Sequence, residues 1–147
     1  FSAVTTGVGR LSRLDLRPSR SPGKIKGNSA KVDEPLAQAL FFEPHAGPIK
    51  GLPCAVVYCP SERGFSAIHS EAITVVKWLL PLRIAVLAVD VTRTGRRSCN
   101  SRDLRAAMEM LRGMDGHGGF GYGCVAIWGR SEGAAAALRF ASRVPAL

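Results

Sequence analysis

The sequence predicts an α/β fold, with a mostly parallel sheet flanked by helices, and three observations carry that expectation. The apolar runs Cys54–Tyr58 and, but for Asp90, Ile84–Val91 are continuous rather than alternating, which suits strands covered on both faces. Stretches with helical apolar spacing alternate with such runs, and that alternation builds a parallel sheet. A further run, Cys124–Ile127, passes through Trp128 into Gly129-Arg130-Ser131-Glu132-Gly133 and then at once into an alanine-rich segment. This is G-x-S-x-G set between a buried strand and a helix.

Residues 1–35 are rich in Ser, Gly, Pro, Arg and Lys, with acidic groups only at Asp15, Asp33 and Glu34. They read as a basic, disordered lead-in without chemistry. Arg10, Arg13, Arg17 and Arg20, interleaved with Ser and Leu, also fit an organelle-targeting segment, the less favoured reading. The folded domain is expected over 36–147. Leu36–Phe42 is strand-like and stops at Glu43-Pro44; a turn over 45–51 leads to Pro53–Tyr58, so these two strands are expected to be neighbours. Glu71–Leu82 follows as a helix with Ile73, Val76 and Leu80 on one stripe and Ser70 as its cap. Ile84–Val91 is the next strand. A loop over 92–100 leads to a second helix, about 102–114, with Leu104, Met108 and Leu111 in helical spacing and Ser101 as its cap. A glycine-rich link over 115–123 delivers the chain to the last strand.

The 147 residues make one domain, and 46% apolar content is enough for a core. The net charge of +9, from 20 basic and 11 acidic residues, raises nucleic acid as a partner. The basic residues are scattered, however, without stacking aromatics at regular spacing. Arg93, Arg96 and Arg97, their nearest approach to a patch, read as a solvated loop, so no nucleic-acid partner is expected. Cys54, Cys59, Cys99 and Cys124 form no C-x-x-C pair and have no metal-ligand spacing with His45, His69 or His117, so neither metal nor cofactor is expected. Cys54 and Cys124 in apolar runs behave as small hydrophobes and favour a reducing compartment, the cytoplasm. No apolar run has the length of a membrane span. The alternate glycines 119, 121 and 123 precede a strand instead of following one, so they are not a dinucleotide turn.

The G-x-S-x-G segment in this setting describes a nucleophile elbow, a tight turn that lifts a serine hydroxyl above the end of a sheet. Gly129 and Gly133 supply the room such a turn needs, and Ser131 is the candidate nucleophile. Three segments together resemble the α/β-hydrolase fold, in particular the protist-type serine aminopeptidase-like hydrolases. They are Leu52-Pro53-Cys54-Ala55-Val56-Val57-Tyr58, Leu79-Leu80-Pro81-Leu82-Arg83-Ile84-Ala85-Val86, and Ile127-Trp128-Gly129-Arg130-Ser131-Glu132-Gly133-Ala134. The match runs over roughly 36–147, the N-terminal half of such a domain.

The resemblance implies acyl transfer to Ser131 and hydrolysis of a small-molecule or peptide ester, thioester or amide. It gives the backbone N–H of Glu132 as one oxyanion donor and the loop after Tyr58, near Glu62, as the second. The chain departs from the family in three places. Pro60-Ser61-Glu62 stands where the family has His-Gly-Asn, and proline has no N–H to offer; losing one oxyanion donor costs roughly a hundred- to a thousand-fold in rate. Glu132 replaces the usual Met. Beyond Glu132, no His, Asp or Glu follows Ser131, whereas in this fold acid and histidine follow the serine. His45, His69 and His117 all precede it and read as ordinary surface histidines, while Asp90 reads as structural. Without a base the hydroxyl stays a poor nucleophile, so negligible activity is expected of these residues alone. Phe1 at the start and the stop at Leu147 suggest a piece of a longer chain, with an exposed edge strand and poor behaviour in isolation. A degenerate, non-catalytic binding module is the alternative.

Overall fold

Two short strands, apolar except for Asp90 at the end of the second, form the middle of the molecule. Ala55–Cys59 (β4) and Ala85–Asp90 (β5) are buried along their whole length. They pair in parallel, with Ala55 opposite Ala85 and Tyr58 opposite Ala88. The structure is a computed structural model that describes residues 3–6, 9–16, 37–61, 65–91, 99–114, 122 and 124–144. Four more strands complete the sheet: Ala3–Thr6 (β1), Gly9–Asp15 (β2), Gln38–Pro44 (β3) and Val125–Gly129 (β6). The six run in the order β1-β2-β3-β5-β4-β6. β5, β4 and β6 are mutually parallel, while β3 is antiparallel to both β2 and β5.

The period of two along each strand divides the core in two. Phe41, Val57, Cys59, Leu87 and Val89 face one side, under the helices Ser101–Gly113 (α2) and Glu132–Ala141 (α3), which contribute Leu104, Met108, Leu111 and Phe140. Leu40, Phe42, Tyr58, Val86 and Ala88 face the other, under the helix Phe65–Leu79 (α1), which contributes Ala72, Val75 and Val76.

Several expectations need correcting. The lead-in is not wholly disordered: β2 lies inside it, fully paired with β3 from Gly9 opposite Pro44 to Asp15 opposite Gln38. Its alternation does this, with Ser12, Leu14 and Leu16 buried and Arg10, Arg13 and Asp15 exposed. The basic composition hid a period-two strand. β3 and β4 are not neighbours, since β5 lies between them, making a crossover through α1. α1 begins at Phe65, so Ser70 is inside it and its carbonyl accepts from Thr74 Oγ1 at 3.3 Å. An interior serine costs only a few tenths of a kcal/mol against alanine, too little to stop a helix whose buried stripe continues past it (roughly 0.5 kcal/mol). At the other end Pro81 has no N–H for the α ladder, so the chain tightens into a 3-10 turn over Leu80–Leu82. The cap of α2 is Asn100 rather than Ser101. Its side chain accepts from the N–H groups of Arg102 (2.9 Å) and Asp103 (3.0 Å), while Asp103 Oδ2 accepts from the Asn100 N–H at 2.9 Å. This closed capping box satisfies three backbone N–H donors, two in the first turn of the helix and that of the cap residue itself.

β6 is less covered than the inner strands. Val125, Ala126 and Ile127 are half-buried, Trp128 is 45% exposed, and among the described residues β6 pairs with β4 alone.

Candidate active site

Ser131 sits where β6 becomes α3, at the carboxyl end of the parallel strands. Its backbone takes φ 49° and ψ −120°, a region that residues with a Cβ enter only at a cost. It occupies the N-cap position of α3, yet its side chain makes no capping hydrogen bond. A serine at that position ordinarily turns its hydroxyl onto the helix amides; here the left-handed backbone releases it, and the residue is exposed. The turn is closed instead by main chain. The Gly133 N–H donates to the Arg130 carbonyl at 2.9 Å, and the Ala134 N–H to the Ser131 carbonyl at 3.1 Å. The Glu132 N–H takes no part in these bonds, and its side chain is exposed.

The two glycines flanking the turn are fixed by contact. A Cβ on Gly133 would fall on the carbonyl of Cys59 and within 2.6 Å of the Pro60 carbonyl. One on Gly129 would strike the Gly133 carbonyl and the Ala134 nitrogen. The first turn of α3 therefore lies directly against the end of β4, and the Arg130 N–H donates to the Cys59 carbonyl at 3.1 Å.

A carboxylate that sequence reasoning overlooked joins these pieces. Glu71 of α1, 11% exposed, accepts from the Ser61 N–H at 3.0 Å and from the Ser61 hydroxyl, and its Oε1 lies 3.4 Å from Arg130 Nη1. Glu71 thus ties the loop after β4 to the residue before Ser131. Tyr58, beneath it, has its phenol pushed up to about 12 by burial first and then by the adjoining Glu71 charge and hydrogen bond. Trp128 packs edge-on to Tyr58, ring centres 6.1 Å apart. No motif advertises Glu71; only the fold brings it to Ser61 and Arg130.

Other candidates are not gathered here. Glu62 and His117 lie outside the described residues, as does the side chain of His69. His45 lines a cavity of about 850 Å³ together with Lys50, Cys54, Arg83 and Cys124. Those residues precede β4, β5 and β6 or follow β3, so the cavity lies at the amino edge of the parallel strands. Ser131 is at the other edge, a strand length of ~17 Å away. Asp90 ends β5 as a buried residue. Among the described residues no three His, Cys, Asp or Glu side chains form a metal-binding group. No helix among them is long and apolar enough to cross a membrane.

No family model matches the sequence, and neither does any curated protein. Among solved structures, a novel cold-adapted esterase from an Arctic intertidal metagenomic library, in a PEG-bound complex, is similar with a TM-score of 0.60 and 12% identity. The similarity covers 96% of this chain and 58% of the esterase chain. The chain has part of an α/β-hydrolase fold. It spans less than two thirds of the esterase's length. In α/β-hydrolase and other open α/β sheets, ligands bind outside the carboxyl ends of the strands, the edge that carries Ser131 and not the edge that carries the cavity.

Proposed function

We propose that this chain carries the nucleophile side of a serine hydrolase centre, with the turn at Ser131 as a nucleophile elbow. Ser131 Oγ attacks the carbonyl carbon of an ester, thioester or amide, and water later releases the acyl group. The Glu132 N–H donates to the oxyanion, and the loop near Glu62 supplies whatever second donor remains. The observation that carries this reading is the Ser131 backbone, φ 49° and ψ −120°, at the carboxyl end of a parallel strand with its hydroxyl unused by the helix. Strain of this kind persists only where the surroundings enforce it, and Gly129 and Gly133 leave the turn no alternative packing. The esterase neighbour makes an ester the first substrate to try. The three sequence segments quoted above favour the serine aminopeptidase-like group within the fold.

The general base is not among the residues gathered here. No histidine follows Ser131, and His45 lies at the opposite edge. We therefore expect negligible turnover from these 147 residues by themselves, because an unassisted serine hydroxyl remains protonated and weakly nucleophilic at neutral pH.

One observation favours a second reading, a non-catalytic module of the same fold. Ser61, in the loop that should supply an oxyanion donor, has its N–H and hydroxyl engaged by Glu71. A fluorophosphonate probe separates the two. In the full-length gene product, labelling on Ser131 that Ser131→Ala abolishes supports the hydrolase. A folded full-length protein that never labels at Ser131 overturns it in favour of the module.

A further inference from the structure

We propose that the amino edge of the sheet docks on the surface of an anionic membrane. Six large apolar side chains are exposed among the described residues, and four of them, Ile49, Leu52, Trp78 and Leu82, gather at this edge. Ile49 and Leu52 stand in the turn between β3 and β4. Trp78 and Leu82 stand where α1 ends and the 3-10 turn hands the chain to β5. The open cavity joins the two groups, since Ile49, Lys50, Leu52 and Arg83 all line it. Trp78 is 72% exposed, whereas Trp128 at the other edge leans on Tyr58. Apolar side chains gathered on a surface in this way mark a place of contact.

Charge is sorted along the same axis. Lys50 and Arg83 are exposed at the cavity, Lys77 in the last turn of α1 and Arg112 in the last turn of α2. Arg10, also exposed, pairs opposite Glu43 at the same end of the sheet. The carboxylates collect at the other edge. Asp15 lies opposite Gln38, level with Asp90, while Asp103 and Glu132 are in the first turns of α2 and α3 and Glu71 is held by Ser61. Glu109 lies further along α2, and Glu43, at the amino edge, is engaged by the Tyr122 hydroxyl at 2.9 Å. Acidic first turns and basic last turns suit each helix by itself. Lys50 and Arg10 are outside any helix, and they add to the same side.

An edge that is cationic and apolar at once matches an anionic lipid surface. Tryptophan settles at headgroup level, leucine and isoleucine enter the acyl boundary, and lysine and arginine meet the charged headgroups. The recess between Lys50 and Arg83 gives one such headgroup a seat. Nucleic acid would satisfy the cations but would set Trp78 and Leu82 against phosphates. A second copy docking by the same edge would bring like charges face to face.

The test is co-sedimentation of the full-length protein with vesicles of phosphatidylcholine alone and of phosphatidylcholine and phosphatidylserine in equal parts. The expected result is binding to the mixed vesicles only, weakening as salt is raised. Lys50→Ala, Lys77→Ala and Arg83→Ala should each weaken it about fivefold, and Trp78→Ser roughly tenfold. These side chains are exposed, so the variants should fold, and a urea midpoint near that of the wild type checks each one. Arg102→Ala, in the first turn of α2, and Leu138→Ser, as exposed as Trp78 but on α3, should bind like the wild type. Equal binding to both kinds of vesicle overturns the proposal, as does no binding to the mixed ones or an equal loss in the Arg102 and Leu138 variants. Self-association without vesicles that Trp78→Ser abolishes also overturns it, in favour of a contact between copies. So does binding to duplex DNA that vesicles fail to match, in favour of nucleic acid. Sedimentation does not depend on hydrolysis, so the result stands apart from the role proposed for Ser131.

Discussion

At the carboxyl ends of β4 and β6, backbone meets backbone. Gly133 sits against the Cys59 carbonyl, Ser131 is held at φ 49°, and Glu71 binds Ser61 and Arg130 together. At the amino ends of the same strands the chain borders an open cavity of about 850 Å³ among turns and exposed cationic side chains, Lys50 and Arg83. The amino edge contains two positive-φ residues, Arg83 at φ 60° in the ordinary left-handed helical region and Gly51 at φ 89°, and Gly51 has nothing within 4 Å of where a Cβ would stand. The large void and the chemically shaped turn are therefore at opposite ends of one sheet. Volume locates space for a ligand, whereas enforced strain and excluded side chains locate a place where atoms must be held in one position.

The largest effects expected from this contrast come from adding one methyl group at each edge. Gly133→Ala places a Cβ on the main chain of β4, where nothing flexible can yield, and should cost roughly 3–5 kcal/mol or abolish folding. Gly51→Ala meets only the backbone penalty of positive φ and should cost about 1 kcal/mol. Urea unfolding of the two variants gives the comparison, and equal losses would break it. Next in size is the Glu71 clamp. Glu71→Ala strips the Ser61 N–H, its hydroxyl and Arg130 of their acceptor and should cost roughly 1–3 kcal/mol. Arg83→Ala at the open edge should change stability by less than about 0.5 kcal/mol. A Glu71→Ala midpoint as little shifted as that of Arg83→Ala would reduce the clamp to a surface contact.

The residues that sequence reading found, and those it missed, divide along the same line. Strands β4 and β5 were legible because burial on both faces requires unbroken apolar runs, and Leu104, Met108 and Leu111 because one helix face must be apolar. The serine turn was legible because its geometry admits only small residues on either side. β2 was missed because an outer strand needs only every second residue to be apolar, and Arg10, Arg13 and Asp15 at the exposed positions look like a solvated tail. The wrong neighbour for β3 has a different cause: strand order depends on crossovers, which leave no local mark. The meeting of Glu71 with Ser61 and Arg130 was illegible because it joins residues distant in sequence and follows no local spacing. Local physics writes itself into the chain; the meeting of distant residues is settled by packing.

The smallest of the three contrasts is also the sharpest test of strain at the serine. Glycine accepts φ 49° and ψ −120° without a Cβ clash, while alanine keeps the clash and loses only the hydroxyl. Ser131→Gly should therefore be more stable than Ser131→Ala by about 1 kcal/mol, after allowing for the greater unfolded-state freedom of glycine. At an ordinary helix N-cap whose side chain caps the helix, both changes remove a hydrogen bond, and glycine is better only by part of a kcal/mol (roughly 0.5). The two cases separate on the wild-type reference. If the strain is real, Ser131→Gly lies above wild type in urea midpoint, because the wild-type hydroxyl caps nothing and contributes nothing to the fold. A Ser131→Gly midpoint below wild type would mean that the serine earns its position through stability, and the case for reserving its hydroxyl for an acyl group would go with it.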